Sequence, residues 1–253
     1  MKGSRKNGVG RPARSRPPRG RPPRGSAEAL TRQRIVAAAL QIVDAEGLAA
    51  LSMRRLGASL GVDPMAVYYH LPNKAALYDA IVEAVMAEAE WGEGPEGQAP
   101  APASTGTPAE QLRRMARSYR DALMRHPNAI SVVAARPVRT PASLRPIERM
   151  LAVIAAEGFT PRESIAFVDV CGHYIMGWAL TYAAHLSGSE IHDHGPLELD
   201  ALPAEEFPNL RRVLEEAPEG NPFAVEFEMG LDALLTGLMN RETRLPGSDG
   251  GSR

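Results

Sequence analysis

Apolar residues recur three and four positions apart along most of the chain between residues 27 and 240. This spacing places them on one face of a helix, as it does for Leu77, Ile81 and Val85. The pattern contains no convincing strand and no internal repeat, so it predicts an all-α fold. The predicted helices cover residues 27–46, 53–60, 64–70, 74–91, 107–126, 141–157, 160–185, 205–215 and 222–240.

Residues typical of helix ends divide the region around residue 60 into two short helices joined by a tight turn. Ser52 is a good N-cap for the first helix, and Gly61 can adopt the left-handed conformation that ends it. Asp63 then caps the second helix, with Pro64 at its first position, and Asn73 opens the next helix in the same way. This arrangement is typical of a helix-turn-helix, in which the second helix enters the major groove of DNA.

Composition narrows the class of protein. The single cysteine, Cys171, excludes an internal disulfide and fits a reducing compartment. The N-terminus is charged and rich in proline, without the apolar segment of a signal peptide. No run approaches the roughly 20 apolar residues of a membrane-spanning helix. These features predict a soluble, cytoplasmic protein.

Charge is distributed unevenly, although the formal net charge of the whole chain is only −1. Residues 1–25 carry nine basic side chains and no acidic one. The rest of the chain holds 20 basic against 30 acidic side chains, a net charge of −10. Within residues 26–91, five basic side chains accompany eight acidic ones. Attraction to DNA phosphates is therefore expected to come largely from the N-terminal arm and a few placed charges.

These patterns predict five regions along the chain. They are a disordered basic arm rich in Arg, Pro and Gly (1–25), a DNA-binding domain (29–89) with its helix-turn-helix at 52–71, a linker (92–106), a second helical domain (107–241) and a flexible tail (242–253).

Specific residues of the predicted DNA-binding region resemble one known family. They are Ile35, Ala37-Ala38-Ala39, Gly47, Leu51-Ser52-Met53-Arg54, Leu56, Gly61-Val62, Tyr68-Tyr69-His70 and Asn73-Lys74. A weaker likeness runs through His126-Pro127, Arg136-Pro137, Glu157-Gly158-Phe159, Gly172-His173-Tyr174 and Gly177. Together these residues resemble the tetracycline-repressor (TetR) family of transcriptional regulators, with a tetracycline-repressor-like C-terminal domain.

The resemblance implies a homodimer that binds a palindromic double-stranded operator and responds to a small molecule, most often as a repressor. It makes residues 107–241 the ligand-binding and dimerisation domain. It also implies a set of residues that contact DNA on the helix-turn-helix and just after it. These residues are Arg54, Pro64, Met65, Ala66, Tyr68, Tyr69, His70 and Lys74. Arg54 suits bidentate pairing with a guanine edge. Lys74 corresponds to a lysine that holds a phosphate at a helix N-terminus.

The same resemblance argues against tetracycline as the effector. Positions that carry drug- or magnesium-binding polar residues in tetracycline-binding members are here Val132, Met150 and Thr181, while a histidine position holds Glu90. The effector is therefore unidentified and expected to be mainly apolar or aromatic. Candidate pocket residues are Tyr119, Met150, His173, Tyr174, Trp178 and Thr181. Helical spacing does not distinguish residues that line a pocket from residues in a dimer interface, so both interpretations stay open for these six.

The basic arm has two interpretations. Arg19 and Arg21 flank Gly20 between prolines, which resembles the core of an AT-hook that lies in a narrow A·T minor groove. A generic basic tail that contacts phosphates without reading sequence explains the same residues. Both interpretations give the arm a role in DNA affinity.

Two other functions compete with a ligand-responsive regulator. An architectural DNA-binding protein would use the hook-like arm and have no effector. A metal-dependent enzyme would need the loop with His192, Asp193 and His194, together with His185, as ligands. No nucleophile–base pair or phosphate-binding glycine loop accompanies these histidines, so neither catalysis, nor a cofactor, nor a metal is expected.

Overall fold

A computed structural model of the protein describes residues 29–91, 106–186, 203–216 and 222–240, and these residues contain ten helices and no strand. The all-α prediction is therefore confirmed. The helices are α1 (Arg32–Glu46), α2 (Met53–Leu60), α3 (Pro64–His70), α4 (Lys74–Ala87), α5 (Pro108–Arg125), α6 (Ile130–Ala135), α7 (Pro141–Ala156), α8 (Pro161–Leu186), α9 (Pro208–Glu216) and α10 (Pro222–Met239). The predicted arm, the tail and residues 92–105 of the predicted linker lie outside the described residues.

The first helix begins later than its apolar pattern indicates. It starts at Arg32 instead of near residue 27, because Thr31 has an extended backbone and its hydroxyl accepts the N–H of Arg34. Such an N-cap satisfies one of the amide groups that a helix start leaves without a partner. At the other end Gly47 has a φ of 80° and ends the helix as predicted.

The fourth helix ends at Ala87, four residues before the predicted end at Trp91. The amides of Glu88 and Ala89 donate to carbonyl oxygens three residues earlier instead of four, those of Val85 and Met86, each at 3.3 Å. The indole nitrogen of Trp91 then donates to the same Met86 oxygen at 2.7 Å. A side chain beyond the helix thus supplies a hydrogen-bond donor for one of its last carbonyl groups. The spacing of apolar residues does not indicate where such a contact ends the helix.

One short helix and two 3₁₀ segments were missing from the sequence prediction. The helix is α6, with only six residues, and the 3₁₀ segments are Leu48–Ala50 and Pro127–Ala129. Six residues give less than two turns, too few for a helical period to stand out from a loop. The segment Pro127–Ala129 packs on α1 and α8, so tertiary contacts stabilise it.

Two glycines set the angle between α2 and α3. Gly61 has a φ of 67°, the left-handed conformation that ends α2 as predicted. Gly57 lies where α3 crosses α2, and a Cβ atom there would be 3.0 Å from the carbonyl oxygen of Val62 and 3.2 Å from the nitrogen of Pro64. The close approach of the two helices therefore requires a residue without a side chain at position 57.

Helices α1 to α3 form a small unit, called the head below, and α4 packs on α1, α6, α7 and α5. The core of the head contains Ile35, Leu56 and Val67, all inaccessible to solvent. In the C-terminal domain, α5 to α10, the long helix α8 packs on α5, α6, α7 and α10. None of the helices in the described part of the chain is long and apolar enough to cross a membrane.

Candidate DNA-binding surface and ligand cavity

The third helix exposes its largest side chains to solvent. Asp63 caps it by accepting the N–H of Met65 at 2.8 Å, and Val67 is its one buried residue. Met65 is 71% exposed and Tyr69 87% exposed, which is unusual for large apolar and aromatic side chains. A helix with one buried residue and large exposed side chains on its outer face has the geometry needed to enter a groove.

The remaining α3 residues that the sequence singles out lie on the same exposed element. Tyr68 is 40% exposed, whereas Pro64, Ala66 and His70 are half-buried. The ring of His70 meets the Tyr69 ring edge-on, with 5.4 Å between the ring centroids. The structure therefore brings these residues together on one surface.

Two adjacent arginines on α2 differ in their surroundings. Arg55 forms an ion pair with Glu46 at the end of α1, and this pairing raises its pKa. Arg54 is exposed, and none of the described residues forms an ion pair or hydrogen bond with its guanidinium group. Of these two α2 arginines, Arg54 is the one available to an external acceptor.

The start of α4 adds a positive charge to this surface. Asn73 caps the helix by accepting the N–H of Ala76 at 2.8 Å, as predicted from the sequence. Lys74 follows at the first helical position, is exposed, and lies 5.3 Å from the ring centroid of Tyr78. Positive charge at a helix N-terminus favours a bound phosphate. The two arm residues singled out in the sequence, Arg19 and Arg21, lie outside the described residues.

A cavity of about 200 Å³ lies among α4, α5, α7 and α8. Met86 and Trp91 contribute its wall at the end of α4, Tyr119 lines it from α5, and Met150 from α7. The rings of Trp91 and Tyr119 lie 5.2 Å apart at an angle of 45°. The lining is thus mainly apolar and aromatic, as is usual for sites that bind small organic molecules.

Three polar side chains open onto the cavity. They are Tyr119, Asp169 and His173, the last two on α8. Burial raises the pKa of the Tyr119 phenol to about 12, so its hydroxyl keeps its proton. Asp169 and His173 are exposed at the rim. Because they are four residues apart on one helix, they share a face.

The structure places three of the six candidate pocket residues at this cavity: Tyr119, Met150 and His173. Tyr174 and Trp178 are directed towards α10 instead, where the Tyr174 hydroxyl donates to the Phe227 carbonyl oxygen at 2.8 Å. Trp178 packs on the Phe227 ring, with 5.0 Å between centroids. Thr181 donates to the carbonyl oxygen of Gly177 on its own helix. The long helix turns these three side chains away from the cavity.

The other ten lining residues were not predicted from the sequence, and Met86, Trp91 and Asp169 are the most informative of them. Met86 and Trp91 were assigned to a continuous apolar helix, and only the turn after Ala87 brings the indole over the cavity. Asp169 looks like an ordinary surface acid in the sequence. Among the candidate metal ligands, His192, Asp193 and His194 lie outside the described residues.

Ion pairs attach α4 to both parts of the molecule. Arg32 on α1 donates to Glu83 at 2.8 Å, which ties the head to the middle of the helix. Arg136, which follows α6, donates to Asp79 at 2.6 Å. The helix that begins at Lys74 and carries Met86 into the cavity wall is therefore held by the head on one side and by the C-terminal domain on the other.

Comparisons with known proteins agree for both parts of the chain. Residues 35–81 match the sequence model described as bacterial regulatory proteins of the tetR family. Residues 99–241 match the model described as the tetracyclin repressor-like C-terminal domain.

Three relatives illustrate the likeness. The transcriptional repressor DrrR1 of Streptomyces coeruleorubidus is 35% identical over 59% of this chain, and the match spans only 53% of that protein. The class G tetracycline repressor protein of Vibrio anguillarum is 27% identical over 83% of this chain and 93% of its own length. The structure is similar to that of ActR from Streptomyces coelicolor in complex with (S)-DNPA, with a TM-score of 0.68 and 30% identity over 83% of this chain and 97% of ActR.

The head presents an exposed α3, and the C-terminal domain encloses a cavity that α4 reaches. Sequence models of one family match both parts, and the C-terminal match alone spans more than half of the chain. The protein belongs to the tetracycline-repressor (TetR) family of DNA-binding, helix-turn-helix transcriptional regulators, a class of regulators and not of enzymes.

Proposed function

We propose that the protein is a homodimeric repressor that binds a palindromic operator and releases it when a small molecule occupies the cavity. The observation that supports this proposal most strongly is that α4 extends from the candidate DNA-binding surface to the cavity. It begins with Lys74 beside the exposed α3 and ends with Met86 in the cavity wall. One helix thus touches both candidate sites, so a ligand that displaces its end changes the position of its beginning.

The proposed DNA contacts divide into reading and anchoring residues. Arg54 pairs with a guanine edge, because its guanidinium group is exposed and without an acceptor in the described part of the chain. Pro64, Met65, Ala66 and Tyr68 face bases or a thymine methyl group.

Anchoring falls to Tyr69, His70 and Lys74. These side chains lie at the end of α3 and the start of α4, where they contact the phosphate backbone and fix the register of the head on the duplex. Substitutions in the two groups of residues should therefore have different effects on DNA binding. Loss of a reading residue changes sequence preference, whereas loss of an anchoring residue weakens binding to every sequence.

A homodimer explains how so small a head achieves specificity. Two recognition helices about 34–36 Å apart meet successive major grooves on one face of a palindromic site. Val225 and Met229, four residues apart on α10, are 69% and 68% exposed, which leaves an apolar strip on one face of the helix. A second copy of the chain would cover this strip.

The proposed effector is a mainly apolar or aromatic molecule. The cavity lining supports it: Met86, Trp91, Tyr119 and Met150 offer apolar and aromatic surface. Met150 occupies one of the positions that carry drug- or magnesium-binding polar residues in tetracycline-binding members, and a thioether is a poor ligand for magnesium. The similar ActR structure contains a bound small molecule, (S)-DNPA, which supports a ligand-binding role for this domain.

The test combines a footprint with a release assay. A footprint on DNA flanking the protein's own gene identifies the operator, and fluorescence polarisation with that fragment measures its release by a panel of aromatic compounds. We expect a two-fold symmetric footprint and stoichiometric release by at least one compound. An architectural DNA-binding protein, the competing function, would give no symmetric footprint and would hold DNA whatever compound is added.

A further inference from the structure

The polar groups of the cavity all favour one kind of ligand. None of the described residues that line it is a lysine or an arginine. Among the described lining residues, the one acidic side chain is Asp169, and the other polar side chains are the Tyr119 hydroxyl and the His173 imidazole. The cavity therefore repels anions and attracts cations.

The hydrogen-bonding capacity of these three groups also favours a cationic ligand. A carboxylate only accepts hydrogen bonds, whereas a neutral imidazole offers one donor and one acceptor, and a phenol both donates and accepts. In the part of the chain that the structure describes, none of the three has a hydrogen-bonding partner. A ligand that enters the cavity thus meets more acceptors than donors, and it is held best if it brings N–H groups of its own.

Aromatic walls add a second attraction, for the ring system of a ligand. Trp91 and Tyr119 line the cavity with ring centroids 5.2 Å apart, and this aromatic surface favours packing of a further ring. Met86 and Met150 complete an adaptable apolar lining. The volume of about 200 Å³ lies below the usual range for drug-sized ligands, so it suits a compact ring system.

We propose that the effector is a compact aromatic amine, protonated at neutral pH, whose ammonium group pairs with Asp169 while its rings lie against Trp91 and Tyr119. This inference rests on the proposed function, because it names the chemical class of the effector for the same cavity. It makes Asp169 the residue that determines specificity. A neutral analogue loses the ion pair, and a carboxylate analogue is repelled.

The experiment uses three probes with one ring system: 2-naphthylmethylamine, 2-naphthylmethanol and 2-naphthoate. Isothermal titration calorimetry on the full-length chain measures each affinity for the wild-type protein and for Asp169→Asn. The matched control is Glu148→Gln, an exposed acid on α7 that lies outside the cavity lining. Thermal melting verifies that all three proteins fold equally well.

We expect the amine to bind the wild-type protein more tightly than the alcohol by up to about fivefold, with the naphthoate weakest, because Asp169 is exposed at the rim and solvent screens its pairing with the ammonium group. Asp169→Asn should abolish this preference, and Glu148→Gln should keep it. Equal or tighter binding of the alcohol, a preference unchanged in Asp169→Asn, or no binding of the amine would each overturn the inference.

Operator release, measured in parallel on the footprinted DNA, separates this inference from the proposed function. If the alcohol binds best and releases the operator, the amine inference fails and the proposed function stands. If the amine binds through Asp169 but neither it nor any other compound of the panel releases the operator, the inference stands and the proposed control of DNA binding fails.

Discussion

The imidazole of His126 lies with Nε2 2.8 Å from Glu88 Oε1, at the point where α4 ends. Its other nitrogen, Nδ1, lies 2.9 Å from Asp44 Oδ2 near the end of α1. A neutral imidazole donates through only one nitrogen, whereas the protonated ring donates through both. The protonated form therefore satisfies both carboxylates at once and joins the end of α5 to the head and to α4.

This network predicts a pH-dependent stability. Burial alone would lower the pKa of His126, but its hydrogen bonds and charge interactions with Glu88 and Asp44 outweigh burial and raise the pKa above the ordinary 6.5. The groups around it are Arg125, which donates to Glu88 at 2.7 Å, and Asn128, which donates to the Asp44 carbonyl oxygen. Because the folded state favours the proton, the contribution is complete below pH 6.5 and is lost as pH rises through the raised pKa.

The variant His126→Gln measures the contribution directly. Urea unfolding from about pH 6 to about pH 9 should show a destabilisation of about 1–3 kcal/mol at the acid end that shrinks at the alkaline end. Asn128→Ala serves as the control, because it removes a hydrogen bond of the same region without a titrating group. A difference between wild type and His126→Gln that does not vary with pH would contradict the prediction.

The contrast between Arg54 and Arg55 gives a matched pair of substitutions. Arg54→Ala should cost roughly 1–3 kcal/mol in operator affinity and relax the preference at one base pair per half-site. Arg55→Ala breaks the pair with Glu46, an exposed interaction that solvent screens, and should affect DNA binding much less. Fluorescence polarisation on operators with each base substituted in turn measures both effects. Equal losses in the two variants would show that Arg54 does not read a base.

Local signals explain why the head could be predicted closely. Ser52, Asp63 and Asn73 cap the helices that follow them, and each cap depends on residues only two or three positions away. Their side chains and the amide groups they satisfy are all visible in one short stretch of sequence. The helix-turn-helix therefore follows from the sequence almost residue by residue.

The cavity could be predicted only in part, because its lining depends on contacts between distant segments. Tyr119, Met150 and Trp178 have the same helical spacing signal, yet Trp178 packs on Phe227 of α10 and leaves the cavity to the other two. Trp91 reaches the lining because α4 ends early, and a carbonyl oxygen of that helix accepts its indole N–H. Which face of a helix meets which neighbour is a tertiary property that periodicity does not contain.

The basic arm should dominate the salt dependence of DNA binding. Residues 1–25 carry nine basic side chains, whereas the rest of the chain has a net charge of −10. Each neutralised phosphate contributes about −0.9 to the slope of log K against log salt concentration. Deletion of residues 1–25 should therefore flatten this slope by several units and weaken binding to all sequences. A slope unchanged by the deletion would show that the arm does not contact the duplex.

An AT-hook requires an A·T-rich minor groove, whereas a generic basic tail does not. Arg19 and Arg21 would have to lie in a narrow A·T minor groove next to the operator. A minor-groove drug should then compete with the full-length protein on A·T-flanked sites and not with the protein that lacks residues 1–25. Competition that is independent of the arm, or absent, would favour contacts with phosphates alone.

Coupling between the two sites should be reciprocal and should depend on Met86. If the effector weakens operator binding by some factor, the operator must weaken effector binding by the same factor. Calorimetry with and without operator, using the compound that the release assay identifies, measures this factor. Met86→Ala should reduce it, because Met86 lies on α4 and in the cavity wall, which makes it the contact through which a ligand displaces that helix.

Met150→Ala is the control, since Met150 lines the same cavity from α7. It removes a similar apolar contact, so it should weaken effector binding equally in the presence and absence of operator. The factor by which operator weakens effector binding should therefore stay unchanged. A ligand shifts the equilibrium between DNA-bound and released states only by its difference in affinity for them. If Met86→Ala and Met150→Ala had the same effect on the factor, coupling would not run through the end of α4.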